Sequence, residues 1–268
     1  MPTPESFFTV DGAGGDAERF VPTTHARGPW HPDHCHAGPP TGLLARAAER
    51  LVPGKRLTRL TVSLIRPIPH AGFSVRAELV REGRTVALVA ARIEGDDGRV
   101  AATAEALLMT RQGAREVPTH ADSLGSPEEA ASGGFPIAET LHGLPAFNGR
   151  GVETRYPAGQ GREPGPTGAW LRTVPLLPHE TPSPFQRVCP LADCGNAFGR
   201  NAEPGHTSFA NADLTVLLHR DPVGEWLGTR AVGYWEPDGI GMADALLFDR
   251  EGAVGRALQT LLLLPGPG

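Results

Sequence analysis

The sequence lacks the features of a secreted, membrane-bound or nucleic-acid-binding protein. It has one lysine, Lys55, and no run of basic residues. The longest candidate for an apolar segment, residues 258–264, is strand-sized, whereas a membrane helix needs ~20 residues. Residues 1–15 lack the basic and apolar regions of a signal peptide. We therefore expect a protein that contacts neither a membrane nor nucleic acid.

Cysteine is also scarce, with only Cys35, Cys189 and Cys194 present. Three cysteines cannot all pair, and a chain of 268 residues can bury a core without disulfides. A reducing, cytoplasmic location is therefore expected. The composition, 40% hydrophobic and 21% charged with a net charge of −5, is typical of a folded globular protein.

The clearest positive signal is an internal repeat. The segment LTVSLIR at residues 60–66 returns as LTVLLHR at 214–220, an offset of 154. The same offset aligns residues 97–100 with 251–254 and 107–108 with 261–262. A constant, ungapped offset over this length indicates two copies of one structural unit.

Each copy is predicted to contain one helix followed by four antiparallel strands. In the first copy the helix covers residues 39–50, with prolines in its first turn. The predicted strands are 57–67, 73–81, 85–94, 99–109, 208–220, 225–235, 239–249 and 253–264. Such a sheet buries a face by wrapping around its helix, and two units joined edge to edge share one sheet.

This pattern predicts an α+β fold of two helix-plus-sheet units that form one continuous sheet. We divide the chain into an N-terminal unit at 1–112, a linker at 113–150 rich in Gly, Pro, Ser and Glu, and a C-terminal unit at 151–268. Segments 7–30, 151–156 and 169–176 are expected to supply the strands that open the two units.

Positions where the copies differ in polarity are candidates for a functional site. Asp193 aligns with Pro39 at the predicted start of the second helix, Asn211 aligns with Leu57, and Gln259 aligns with Glu105. Each has an ordinary explanation as a helix cap, a turn residue or a solvent-facing side chain. Their concentration in one copy predicts a single site.

Several segments stand out as motifs. In the second half they are LADCGN (191–196), NADLTVLLHR (211–220), GEWL (224–227) and GRALQTLL (255–262); in the first half they are GPW (28–30), HAGPP (36–40) and LLAR (43–46). Together they resemble the acyl-CoA thioesterase II family, and more narrowly the thioesterase-like proteins of actinobacteria. The resemblance covers nearly the whole chain except the linker. It implies a double hotdog that hydrolyses an acyl thioester, bound to CoA or to a carrier protein. We expect no cofactor, no metal and a homo-oligomer.

In that family an Asp, a Thr or similar polar residue, and a Gln position the hydrolytic water. These roles carry over to Asp193, Asn211 and Gln259, with Asn in place of the usual Thr. A thioester carbonyl is electrophilic enough for attack by an activated water, so Asp193 is expected to be the base. His36, Gly38 and Gly195 are predicted to contact the substrate, the glycines by permitting close approach and backbone N–H groups at a helix start by stabilising the oxyanion.

Other candidates were weighed against this site. His31, His34, Cys35 and His36 are too closely spaced for a usual zinc site. Cys194 is expected to be a small buried thiol rather than a nucleophile. For Arg66 and Arg220, contact with CoA phosphates and pairing with surface carboxylates stay equally open.

Two other functions stay open. A protein of this type could bind acyl thioesters without turning them over, which the Asn in place of Thr favours. It could also be a biosynthetic enzyme catalysing dehydration or acyl transfer. A hydratase would be expected to carry an Asp and a His together at one helix start, and no His follows Asp193 by four or five residues.

Overall fold

The computed structural model describes residues 5–11, 18–113, 117, 119–137, 140–141 and 143–266. The elements of the first half are β1 (Phe8–Val10), β2 (Glu18–Pro22), α1 (Gly38–Leu51), β3 (Arg56–Leu64), β4 (Phe73–Glu82), β5 (Val86–Gly95) and β6 (Val100–Met109). A short 3₁₀ helix, Thr24–Ala26, precedes α1.

The second half contains the remaining strands and two helices. They are β7 (Ala131–Gly133), β8 (Thr140–Leu141), β9 (Leu144–Pro145), β10 (Val152–Tyr156), β11 (Thr167–Thr173), α2 (Pro184–Ala192), α3 (Gly195–Phe198), β12 (Thr207–Asn211), β13 (Asp213–Leu218), β14 (Leu227–Trp235), β15 (Ile240–Asp249) and β16 (Gly252–Pro265). One π-helical turn, Phe147–Gly151, precedes β10.

All strands except β8 and β9 form one antiparallel sheet. Its order is β1-β2-β4-β5-β6-β3-β13-β16-β15-β14-β11-β10-β7, and β12 also pairs with β16. The two halves meet at β3 and β13, where Thr61 pairs with Thr215 and their hydroxyls hydrogen-bond at 3.3 Å. These residues differ by 154 positions, so the axis relating the two copies passes between them. The predicted α+β class and continuous sheet are confirmed.

The helices lie on one face of this sheet and bury its apolar side chains. Helix α1 packs across β3, β4, β5 and β6, while α3 packs on β14, β15 and β16. In β5 buried and partly exposed residues alternate, as a strand with one covered face requires. The side chains of β6 at Ala102, Ala104 and Ala106 are small and buried, so the helix layer can approach closely. The two helices α1 and α2 also pack against each other.

The predicted linker at 113–150 contributes structure to the second half. Strand β7 pairs with β10 at the sheet edge, and Asp122 accepts a hydrogen bond from Arg230 of β14. Residues 114–116, 118, 138–139 and 142 of this linker lie outside the described residues. The division at residues 112 and 150 stays a proposal.

Within the described residues, no helix is both long and apolar enough to cross a membrane.

Candidate active site

A cavity of about 590 Å³ lies between the two halves, and its wall includes three of the predicted site residues. They are His36 from the first half and Asp193 and Asn211 from the second. Much of the remaining wall is apolar, with Leu64, Ile68, Phe135, Ile137, Phe209 and Leu264. A second cavity of about 430 Å³, bordered by α2, β10 and β11, contains none of the predicted residues. The first cavity is therefore the candidate site.

Asp193 lies at the end of α2, not at the start of the second long helix as predicted. The offset of 154 would place that start at Ala192, but α2 begins eight residues earlier, at Pro184. Ser183 explains this start, because its hydroxyl accepts the Gln186 N–H at 3.1 Å and Pro184 suits the first helical position. A helix of only four residues, α3, follows Asp193.

The Asp193 carboxylate is buried and held by several hydrogen-bond donors. Asn211 Nδ2 and Gln259 Nε2 lie 2.8 and 3.0 Å from the same oxygen, Oδ1. The backbone N–H groups of Ala37 and Gly38, at the start of α1, also face this carboxylate and lower its pKa. The positive end of the α1 dipole thus faces the negative charge. Because Pro39 and Pro40 have no N–H, these two donors are the ones that this helix start can direct at the site.

The three predicted catalytic residues therefore converge, although they lie on different elements. Asn211 ends β12, where the pairing with β16 shifts by one residue; the Asp213 carboxylate stabilises the shift by accepting the Thr260 N–H at 2.7 Å. Gln259 lies within β16 and is 2% exposed, which excludes the solvent-facing alternative. Its Oε1 accepts the Asn196 N–H at 2.9 Å. Gln259 therefore braces Asp193 from within the core, while Asn211 also borders the cavity. The role of each in catalysis stays a prediction.

His36 joins the same group from the opposite half of the molecule. Its Nδ1 lies 3.1 Å from Asp193 Oδ2, the carboxylate oxygen that Asn211 and Gln259 do not contact. The ring stacks on Phe147 with centroids 4.1 Å apart, and the His36 backbone N–H bonds Ala26 O at 2.9 Å. Both contacts fix the ring, with one edge toward Asp193 and the other toward the cavity.

Burial shifts the pKa values of both members of this pair in opposite directions. It raises the pKa of Asp193 to about 7, although the hydrogen bonds from Asn211, Gly38 and Gln259 lower it. It also lowers the pKa of His36 to about 3. The pair therefore changes protonation near neutral pH at the carboxyl group, as a general base for neutral conditions requires.

Gly38 and Gly195 lie beside Asp193, and neither is part of the cavity wall. A Cβ at Gly38 would lie 2.8 Å from Pro190 O and 3.1 Å from Asp193 Cβ, so glycine lets α1 and α2 approach each other. A Cβ at Gly195 would lie 3.2 Å from Gln259 Oε1. The structure gives both glycines a packing reason, and their contact with substrate stays a prediction.

The other candidates occupy distinct positions. The His31 and His34 rings stack on each other 4.3 Å apart, and in the part of the chain that the structure describes no three metal-ligating side chains form a group. Cys194 Sγ donates to Pro190 O, and burial raises the pKa of its thiol, which disfavours the thiolate. Arg220 donates two hydrogen bonds to the Asp249 carboxylate, one to each oxygen, whereas Arg66 borders the cavity.

The contact between His36 and Asp193 was not predicted from the sequence, although a signal for it was present. The repeat makes Asp193 the counterpart of Pro39, three residues after His36. Counterparts related by a two-fold axis meet when they lie near that axis. The segment around Pro39 was therefore a candidate neighbour of Asp193.

Comparisons with known proteins agree with this site. The acyl-CoA thioesterase N-terminal domain matches residues 26–109, and the acyl-CoA thioesterase C-terminal domain matches residues 118–263. Among curated proteins, no sequence is similar enough to count as a match.

Solved structures show the fold along the whole chain. An acyl-CoA thioesterase II of Mycobacterium marinum is 15% identical, with a TM-score of 0.67 over 97% of both chains. A hot dog fold protein of Alicyclobacillus acidocaldarius is 15% identical, with a TM-score of 0.71 over 96% of both chains. A thioesterase candidate from Novosphingobium aromaticivorans is 19% identical, with a TM-score of 0.72 over 97% of this chain and 98% of the other. The predicted double hotdog is confirmed, and the chain belongs to the acyl-CoA thioesterase family.

Proposed function

We propose that this acyl-CoA thioesterase-like hydrolase cleaves its substrate by water attack at the Asp193 end of the interhalf cavity. The observation that carries the proposal is the convergence of Asn211 and Gln259 on one oxygen of Asp193, next to an apolar cavity. A carboxylate held in this way keeps one orientation through the reaction, and a fixed orientation of the reacting groups raises the reaction rate.

The arrangement suits a single activated water. Asp193 is the base of this mechanism, and its raised pKa of about 7 gives it more basicity than an ordinary carboxylate. Asn211 Nδ2 donates to Asp193, and its carbonyl oxygen makes no hydrogen bond within the described residues. That oxygen can accept a hydrogen bond from the water, so Asn can take the place of Thr.

The leaving group is proposed to be CoA. Arg66 borders the cavity with an exposed side chain, and none of the ion pairs of the described residues includes it. Its Nη1 donates to Val100 O at 3.0 Å, and the remaining N–H groups of this guanidinium, which has no carboxylate partner among the described residues, suit a phosphate. A carrier-protein thioester would present one phosphate in the same place, so turnover of both substrates should be compared.

We also propose a cytoplasmic homo-oligomer. All three cysteines are free thiols, as a reducing compartment permits. Ile240 and Leu262 pair across β15 and β16 and are 58% and 53% exposed, which offers an apolar surface to a second copy. Light scattering of the purified protein tests the oligomeric state.

The test of hydrolysis uses purified protein, a series of acyl-CoAs and a free-thiol reagent. Asp193→Asn keeps the side-chain shape but removes the proton acceptor, so kcat should fall at least about 100-fold with KM little changed. Gln259→Ala should cost about 10- to 100-fold, because Gln259 orients the base and accepts no proton.

Thermal midpoints measured alongside the rates separate catalysis from folding. Loss of a helix cap alone would lower stability by about 1 kcal/mol without abolishing turnover. An Asp193→Asn protein as fast as wild type, or a wild type that releases no thiol from any acyl-CoA, contradicts the proposal. Tight binding without thiol release would support the acyl-thioester binding protein instead.

One observation favours a second candidate, reversible hydration of an enoyl thioester. The Asp and His pair that a hydratase requires is present after all, because His36 of the first half supplies the partner that Asp193 lacks in its own half. Loss of enoyl-CoA absorbance without thiol release would identify this activity.

A further inference from the structure

We infer that His36, rather than Asp193, exchanges the proton with the water and then with the leaving sulfur, with Asp193 acting through it. The inference rests on the proposed hydrolysis and assigns a further catalytic residue to it. Its basis is the set of hydrogen-bond partners of the two Asp193 carboxylate oxygens and the two His36 ring nitrogens.

Both oxygens of Asp193 already have protein partners. Oδ1 accepts from Asn211 Nδ2 and Gln259 Nε2, and Oδ2 faces His36 Nδ1 at 3.1 Å. The backbone N–H groups at 37 and 38 add two more donors to the carboxylate. Asp193 is 4% exposed, so little of its carboxylate is open to a water in the cavity.

His36 has the opposite arrangement. Its Nδ1 accepts the Gly38 N–H at 3.2 Å and lies 3.1 Å from Asp193 Oδ2. Its Nε2 forms no hydrogen bond within the described residues and is not enclosed by protein, and the ring borders the cavity. The nitrogen that substrate and water can reach is therefore Nε2.

The ionised carboxylate decides which tautomer His36 adopts. An ionised Asp193 has no hydrogen to give, so in that state Nδ1 carries the hydrogen between them, the Gly38 N–H turns from Nδ1 to the carboxylate that it also faces, and Nε2 keeps its lone pair. Burial keeps the pKa of the ring low, so the neutral form with this lone pair is the resting state. When Asp193 is protonated, its O–H donates to Nδ1, the hydrogen of the ring moves to Nε2, and the base is lost.

The reaction then balances with one water and one thioester. The water oxygen bonds the carbonyl carbon while a water proton moves to Nε2 and the Nδ1 hydrogen moves to Asp193, whose pKa of about 7 makes it the stronger base of the pair. When the carbon–sulfur bond breaks, the sulfur takes the proton from Nε2. The products are a carboxylic acid and a thiol, the Asp193 proton returns to Nδ1, and Nε2 regains its lone pair.

The sharpest variant is His36→Asn, because an Asn amide can replace Nδ1–H as the donor to Asp193 but offers nothing in place of Nε2. With acyl-CoA and a free-thiol reagent, its kcat should fall at least about 100-fold and its KM should stay within about threefold. His36→Ala should lose as much and regain at least about tenfold when imidazole is added. The matched control is His219→Ala, an exposed histidine outside the cavity, which should keep wild-type rates.

The outcomes separate this inference from the proposed function. If both His36 variants stay within threefold of wild type while Asp193→Asn is inactive, the water gives its proton to Asp193 and the inference is wrong. Loss of activity in a folded His36→Ala without imidazole rescue indicates a packing role and also overturns it. A wild type without thiol release overturns the proposed function itself. Thermal midpoints identify a variant that fails to fold. If His36→Ala fails to fold, the kcat of His36→Asn, which keeps the contact to Asp193, tests the inference by itself.

Discussion

At the scale of single residues, Asp193 and His36 hold one proton between them, and burial controls where it lies. Burial raises the pKa of the Asp193 carboxyl from 3.8 to about 7 and lowers that of the His36 ring from 6.5 to about 3. Between about pH 4 and 6.5 the folded protein carries the proton on Asp193, whereas the unfolded chain carries it on His36. The number of bound protons is equal, so the pair adds almost no pH dependence to the free energy of unfolding.

Replacing either His36 or Asp193 should reveal the pH dependence that the remaining residue gives to the free energy of unfolding. In His36→Asn the folded state binds one proton more than the unfolded state between about pH 4 and 7, so stability should fall as pH rises. In Asp193→Asn the unfolded state binds the extra proton on His36, so stability should rise with pH up to about 6.5. The limit for one proton is about 1.4 kcal/mol per pH unit. Denaturant unfolding at pH 5, 6 and 7 measures both slopes relative to wild type, and three parallel curves would contradict the assignment.

The sequence singled out Asp193, Asn211 and Gln259 as one group, but it did not indicate that His36 contacts Asp193. Asp193, Asn211 and Gln259 stood out because a polar side chain replaced Pro, Leu or a solvent-facing Glu at the matching position. The role of His36 depends on a contact across 157 residues of chain, and no local pattern reports such a contact. The contact between His36 and Asp193 can be inferred only when the position of the two-fold axis between the repeats is known.

At the scale of secondary structure, Arg46 ties α1 to two other parts of the molecule. Its buried guanidinium bonds Glu180 Oε1 at 2.7 Å in the segment before α2, and Glu18 Oε2 at 2.6 Å in β2. Arg50, one turn later, contacts the same two glutamates from a side chain that is 53% exposed.

These two arginines form a matched pair for a stability test. Arg46→Ala removes a buried cation, and because both glutamates are partly exposed the cost should be about 2 kcal/mol. Arg50→Ala removes an exposed partner and should cost about 0.5 kcal/mol or less. Urea unfolding of both variants measures the difference, and equal effects would show that burial of Arg46 adds nothing.

Most strands of the two repeats were predictable within a few residues because alternation and turn residues are local signals, but the predicted strand 208–220 is divided into β12 and β13. The predicted strand 99–109 is β6 at Val100–Met109, and 239–249 is β15 at Ile240–Asp249. The second helix was misplaced because the repeat offset was given more weight than a local cap. Ser183 followed by Pro184 is an ordinary helix start, and it fixes α2 earlier than the duplication implies.

At the scale of the whole molecule, the two halves share a sheet but provide only one complete site. At the positions related by the repeat, Pro190 replaces His36 and Pro39 replaces Asp193. Leu57 and Glu105 replace the two amides, and Glu105 pairs with Arg59 at the surface.

The chain should therefore bind one acyl ligand. A thioether analogue of acyl-CoA, which resists hydrolysis, should titrate to one equivalent per chain in calorimetry. Asp193→Asn should keep that stoichiometry, because the cavity wall is intact. Two equivalents per chain would show that the second half-site is still competent.

The site across the central axis also has a consequence for how such a chain can evolve. A pair of N-terminal units would carry two imidazoles and no matching carboxylate, and a pair of C-terminal units would carry the carboxylates without the imidazoles. If turnover requires both residues, neither half can work with a copy of itself, and a gene fragment encoding one half should yield an inert product. The duplication has thus become irreversible: each unit has given up a residue that the other retains, and selection must now act on the two as one.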